Sequence, residues 1–227
     1  MLQEVKGGVA KAVRAAHPGT CVFSQEVFEE ATWGWMGCGV LLRRGAEILD
    51  CGVVGGLPKP QRSLWARVRR PDGQEVTAVS WHTPNAAGDG VAVKMAAYSS
   101  MSEWLASAPR PLVLGADLNT WRDPIDLIDP DPSDDFFEEH AFIGPTPSHG
   151  LVDAYRTVLE AGGELDRRRA EKHEGPLAVS HTLSSGASHR MDRIFSSPDL
   201  RPSAGGYEYA GAIEAGSDHA LHWIDFS

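Results

Sequence analysis

Seven short apolar runs constrain what this chain can fold into. They lie at 37–44, 47–54, 64–69, 75–81, 112–116, 191–196 and 219–226, are rich in Val, Leu and Ile, and are separated by Gly, Pro, Asp and Asn. Their lengths are those of strands, and the punctuation between them marks turns. Helical patterns lie among them. Leu151, Val152, Tyr155, Val158 and Leu159 form one amphipathic stripe, which Gly162-Gly163 ends, and Met95, Tyr98, Met101 and Leu105 form a second. The Ala- and Val-rich segment 5–17, ahead of Pro18, is a weaker third. Consecutive strands over 37–81, followed by helices interleaved with single strands, predict a mixed, layered α/β domain.

With 227 residues, 42% of them hydrophobic, the chain can bury a core, and disorder is not a sensible reading. No internal repeat or linker divides it, so residues 1–227 are expected to form a single domain. Asp and Glu number 31 against 21 Lys and Arg, a formal net charge of −10. Such a surface repels phosphate at long range and disfavours steering toward nucleic acid or an anionic membrane, but it is compatible with a local, metal-bridged phosphate site. No apolar run approaches the roughly 18 residues of a membrane span, and Met1–Gly8 lacks a signal-peptide pattern. A soluble, cytoplasmic protein is therefore expected. Cys21, Cys38 and Cys51 form no Cys-x-x-Cys pair and are read as reduced thiols, the latter two on strands.

Polar residues recur where strands end: Glu4, His82, Asp117 with Asn119, Asp192, and Asp218 with His219. Loops at strand ends are where a rigid scaffold can bring several side chains to one point. Each residue also has a plainer role open to it. Asp117-Leu118-Asn119 can be an Asx turn, Ser217-Asp218 a cap, Asp192 a surface ion-pair partner, His82 a satisfied edge histidine and Glu4 an exposed charge.

Taken in order, the motifs are more specific. Leu2-Gln3-Glu4-Val5, Trp81-His82-Thr83-Pro84-Asn85, Gly115-Ala116-Asp117-Leu118-Asn119, Arg190-Met191-Asp192-Arg193-Ile194-Phe195 and Gly216-Ser217-Asp218-His219 together resemble the endonuclease/exonuclease/phosphatase superfamily, over residues 2–226. The resemblance implies the deoxyribonuclease I-like fold, a four-layer α/β sandwich of two packed mixed β-sheets flanked by helices, and divalent-metal hydrolysis of a phosphate ester. By position it makes Glu4 the metal-binding glutamate and Asp218 a second carboxylate near the ion. Asp117 would orient or deprotonate the attacking water, and Asn119 would donate to the phosphate. His219 would be the catalytic histidine, held by Asp192, with His82 a second histidine across the phosphate.

Physical chemistry is consistent with these roles. Mg²⁺ or Mn²⁺ takes oxygen ligands and keeps several waters, so one or two carboxylates plus a substrate phosphate suffice. A carboxylate beside an imidazole raises its pKa and fixes its tautomer, which would let His219 meet a phosphate oxygen or transfer a proton.

In that superfamily a strand ending in a metal- and phosphate-binding asparagine precedes the Leu-Gln-Glu strand. Here Met1 stands immediately before Leu2, so that strand and asparagine are expected to be missing. A start placed too late, a natural truncation and a non-catalytic relative all account for this, and the intact downstream motifs favour the first. Gln25-Glu26-Val27 repeats the Gln-Glu-Val triplet, which makes Glu26 a lesser choice of metal ligand. Arg167-Arg168-Arg169, set among Glu164, Asp166, Glu171 and Glu174, reads as a self-paired solvated face, and His149, His173, His181 and His189 as loop histidines, with His181 near the site.

The expected function is a phosphodiesterase of the nuclease type, with a phosphate-ester substrate that includes nucleic acid as a candidate. Two alternatives stand: a catalytically silent binding domain of the same fold, and a small-molecule phosphatase or sphingomyelinase-like phosphodiesterase.

Overall fold

The apolar runs pair as strands, in two compact units that span Met1–Asp117 and Leu118–Ser227. The computed structural model describes residues 1–28, 36–43, 45–120, 137–144, 146–170 and 177–227. In the first unit, β1 (Leu2–Val5), β2 (Cys21–Phe23) and β3 (Gly37–Leu41) form an antiparallel sheet in the order β1-β3-β2. The expected helix of 5–17 is present as Gly7–Ala16 and joins β1 to β2. β4 (Glu47–Gly52), β5 (Ser63–Arg69), β6 (Glu75–His82) and β7 (Leu112–Asp117) follow one another side by side. The first two junctions are antiparallel, whereas β6 and β7 run parallel. A parallel pair needs a crossover, and the Met95–Leu105 stripe supplies it as the helix Val91–Ser107.

The core of this unit lies between its two sheets. Val22, Cys38 and Val40 from the first pack against Leu64, Ala66 and Val68 from the second. Gly39 leaves the space that Phe23 fills, since a Cβ there would lie 2.7 Å from the Phe23 ring. All three cysteines are free, and burial pushes the Cys38 thiol up to about 12.

The second unit contains β8 (Val152–Asp153), β9 (His181–Thr182), β10 (Ser188–His189), β11 (Asp192–Ser196), β12 (Pro202–Glu208) and β13 (Leu221–Phe226). Its pairings β8/β11, β9/β10 and β12/β13 are antiparallel. The stripe beginning at Leu151 divides: Val152–Asp153 is strand, and the helix is Ala154–Ala161. Asp153 is its N-cap, accepting the Arg156 N–H, so the chain turns from strand to helix at a residue whose side chain satisfies a first-turn donor. β12 was not expected. A Cβ at Gly205 would lie 2.3 Å from the Ile224 side chain, so the glycine is what allows β13 to pair so closely.

Several sheets with flanking helices make the mixed α/β class that the sequence implied. Among the described residues no helix is long and apolar enough to cross a membrane.

Candidate active site

In the first unit the parallel register does the positioning. His82 and Asp117 end their strands and are register partners, so two runs far apart in sequence finish side by side. Both side chains are 5% exposed, with His82 Nε2 3.8 Å from Asp117 Oδ2. The Asp117 carbonyl accepts the Thr83 N–H at 2.9 Å, which ties the two strand ends together.

Glu4 reaches the same pair from the other sheet, its Oε1 3.3 Å from His82 Nε2. Its approach depends on an irregularity in β1. Leu2 pairs with Gly39 and Val5 with Gly37, so the register shifts across Gln3-Glu4, and Glu4 takes a φ of 53°. Bulges of this kind re-aim a side chain, and a left-handed non-glycine residue costs on the order of 1–3 kcal/mol that the surrounding structure must impose. Gln3 helps to impose it: its Nε2 donates to Ser80 Oγ at 3.0 Å and to the Gly115 carbonyl at 3.1 Å, and Ser80 Oγ donates to the Leu2 carbonyl at 2.8 Å. Asn119, at 48°, is the other described non-glycine residue with positive φ. Both strained positions are residues that the sequence nominated.

The second unit brings together Asp192, His219, Asp218 and a residue without an assigned role, His181. His219 Nδ1 lies 2.7 Å from Asp192 Oδ2, and Nδ1 must be the donor because a carboxylate only accepts. Ser180 Oγ accepts the Met191 and Asp192 N–H groups at 2.8 and 3.0 Å, and Tyr207 Oη donates to the Asp192 carbonyl at 2.7 Å. Ser217 Oγ accepts the His219 N–H at 3.1 Å, a local turn ahead of β13 that no helix follows, so Ser217 is not a helix cap. Leu118, which precedes Asn119, donates its N–H to the Met191 carbonyl at 3.1 Å.

Behind Asp192 lies a buried ionic group that sequence reasoning missed. Arg190 and Arg193 are fully buried, and Arg190 clamps Asp153 with Nη2–Oδ2 at 2.6 Å and Nη1–Oδ1 at 3.3 Å. Burial opposes a charge on Asp153, but the Arg190 guanidinium, with Arg156 and Arg193, holds its carboxyl well below the usual carboxylate range. Arg190 Nη1 also reaches Tyr207 Oη at 3.4 Å, and burial keeps that phenol well above its ordinary range. Asp153 at an N-cap position was the available signal, but nothing local to it pointed to Arg190.

Other nominations resolve simply. Glu26 lies in the short helix Ser24–Val27, pairs with Arg14 and accepts the Phe23 N–H at 2.9 Å, which is a structural role. His149 is a core residue, its Nδ1 accepting the Leu151 N–H and its Nε2 against the Phe142 carbonyl. His181 and His189 are not loop residues but register partners across β9 and β10. Arg167 pairs with Glu164 at 2.6 Å, as a self-paired face would, whereas His173 and the side chains of Arg168 and Arg169 fall outside the described residues.

Solved structures resemble the chain throughout its length. A 3′–5′ exonuclease (NExo) from Neisseria meningitidis matches with a TM-score of 0.71 at 18% identity, over 99% of this chain and 86% of that one. The fold is that of the endonuclease/exonuclease/phosphatase proteins. The catalytic domain of Xenopus laevis APE2 matches at 0.66 and 16% identity, over 99% and 83% of the two chains. An endonuclease/exonuclease/phosphatase from Bacteroides vulgatus matches at 0.63 and 16%, over 99% and 82%. No family model matches the sequence, and no curated protein matches it significantly.

The divalent cation implied by the sequence resemblance fits the residues present in the first unit. Glu4, His82 and Asp117 each offer one ligand atom, all within 4.8 Å of one another. Two carboxylates in a set of three suit a hard cation, and the 44% exposure of Glu4 leaves the open side on which such an ion keeps its waters.

Proposed function

We propose that this chain is a divalent-metal-dependent phosphoesterase that cleaves a phosphodiester, in the manner of a nuclease. The observation that carries the reading is the 2.7 Å contact of Asp192 with His219, the geometry of a carboxylate holding an imidazole for phosphate chemistry. Asp192 accepts from Nδ1–H, so Nε2 is the nitrogen that would carry the chemistry. Glu4, whose carboxylate is 44% exposed, would hold Mg²⁺ or Mn²⁺. The bound cation supplies Lewis-acid stabilisation of charge on a non-bridging phosphate oxygen.

The chain's own residues do the rest. Asp117, buried beside His82, orients or deprotonates the attacking water. Asn119, fixed in its left-handed conformation, donates to the phosphate. His82 serves the leaving oxygen, and His219 the developing charge. The negative surface favours a substrate gripped locally at its phosphate over one bound along an extended basic face. A short single-stranded oligonucleotide or a small diester fits this better than a long duplex.

The test is hydrolysis of bis(p-nitrophenyl) phosphate and of a labelled oligonucleotide, each with Mg²⁺, Mn²⁺ or EDTA, beside a matched monoester. Diester cleavage that requires added metal and stops in EDTA is expected. Undiminished cleavage in excess chelator refutes the metal role, and exclusive monoester cleavage refutes the substrate class.

A further inference from the structure

Asp192 is tied at two points to one ribbon of two strands. β13 begins at Leu221, just after His219, whose Nδ1–H donates to the Asp192 carboxylate at 2.7 Å. Its partner β12 carries Tyr207, whose hydroxyl donates to the Asp192 carbonyl, also at 2.7 Å. On the other side of the residue, Ser180 Oγ accepts the Asp192 N–H at 3.0 Å. Side chains thus grip the peptide groups before and after Asp192. Those two planes set its φ and ψ, and with them the direction in which the carboxylate leaves the backbone.

Tyr207 is itself held so that its hydroxyl stays in place. The β12/β13 register sets it opposite His222, and the two rings stack with centroids 3.9 Å apart and planes 15° apart, while Tyr155 closes on the ring edge-on at 5.1 Å. Arg190 Nη1 lies 3.4 Å from Tyr207 Oη, and because a guanidinium only donates, the phenol proton goes to the Asp192 carbonyl. Arg190 is fully buried and clamped by Asp153 at 2.6 and 3.3 Å, so it is a fixed post for the hydroxyl. Burial keeps the phenol well above its ordinary range, so it remains a donor while the chain is folded. A phenylalanine would fill the same space. What the hydroxyl adds is the bond from Arg190 and the bond to Asp192.

We infer that Tyr207 is a positioning residue for the reaction proposed above, on which this role rests: its hydroxyl anchors the Asp192 backbone to the fixed Arg190–Asp153 pair and so places the carboxylate that orients His219. Reacting groups must be held within about 0.5 Å and 10–20° of their productive geometry, and a misplacement of about an ångström costs up to about 10²-fold in rate. Without the hydroxyl the peptide after Asp192 is free to rotate, and the bond from His219 Nδ1 lengthens or bends. The hydroxyl is spent on Arg190 and Asp192, so its loss falls on kcat and leaves KM nearly unchanged.

The test compares the whole chain with Tyr207→Phe, which keeps the ring and removes one oxygen, and with His222→Phe, which alters the stack and keeps the hydroxyl. Two readouts are taken. One is steady-state hydrolysis of bis(p-nitrophenyl) phosphate in saturating Mg²⁺. The other, read without substrate or metal, is the downfield proton resonance of His219 Nδ1–H, assigned by its absence in His219→Ala. In Tyr207→Phe, kcat should fall about 10- to 100-fold with KM changed by less than about twofold, and the resonance should move upfield. His222→Phe should match the parent in both. An unmoved resonance in Tyr207→Phe overturns the inference, whatever happens to turnover. Equal changes in the two variants overturn it as well, since ring packing and not the hydroxyl would then place Asp192. A moved resonance with parent-like turnover upholds the placement of Asp192 by Tyr207 and refutes the catalytic assignment of His219, so the two failures are distinguishable.

Discussion

His222 offers a quantitative test of the packing behind Asp192. Its ring stacks on Tyr207 at a centroid distance of 3.9 Å and meets Tyr155 edge-on at 6.0 Å. Both ring nitrogens are closed to solvent, and neither has a hydrogen-bond partner among the described residues. Burial, aided by the Arg190 charge, lowers its pKa from 6.5 to about 3, while Asp153 pulls the other way and Arg193 adds to the lowering. The folded chain therefore excludes a proton that the unfolded chain binds. The resulting stability is fully present above pH 6.5 and is lost as pH falls toward the folded value. Each pH unit below about 6 costs about 1.4 kcal/mol, and the interval from pH 7 to pH 5 costs about 2 kcal/mol in total. Substituting His222→Phe keeps a ring against Tyr207 and abolishes the titration. Urea unfolding of both proteins at pH 7, 6 and 5 cancels the groups they share. The parent should lose about 2 kcal/mol more than the variant between the extremes. Parallel stability curves would mean that water reaches the ring, and that the Tyr207 stack is looser than its geometry implies.

Asp153→Ala leaves the fully buried Arg190 without its carboxylate partner and should cost about 3–5 kcal/mol in denaturant unfolding, whereas loss of the exposed Arg167–Glu164 pair should cost less than about 1 kcal/mol. Gly39→Ala drives a methyl to 2.7 Å from the Phe23 ring and should destabilise by about 1–3 kcal/mol, read from the urea midpoint. His219→Ala should lower kcat by about two to four decades with little change in Tm, since the ring fills no core space, and Asp192→Asn should lower it as much or less. Parent-like turnover by His219→Ala would leave the Ser217-Asp218-His219 segment as a turn ahead of β13.

The strands that end at His82 and Asp117 were legible because an apolar run that stops at a polar residue is a local pattern, set by burial of alternate side chains along a few residues, whereas the strand of Glu4 was implied only by the resemblance. The crossover helix Val91–Ser107 was legible for the same reason. Contacts between distant residues leave no such trace. His82 and Asp117 are neighbours only through the parallel register of β6 and β7, and the approach of Glu4 to them depends on a register shift that Gln3 and Ser80 hold in place. Nothing near Asp153 announces that Arg190 will be buried against it, because the energy of that pair depends on solvent exclusion, a property of the packed unit. β12 exists because β13 pairs with it, and the stacking of His181 on His219 arises from a single bridge between segments that are polar by sequence. Short-range periodicity thus specified the elements and the residue types at their ends, whereas hydrogen-bond register and desolvation, which act only once the chain is folded, decided which of those ends meet.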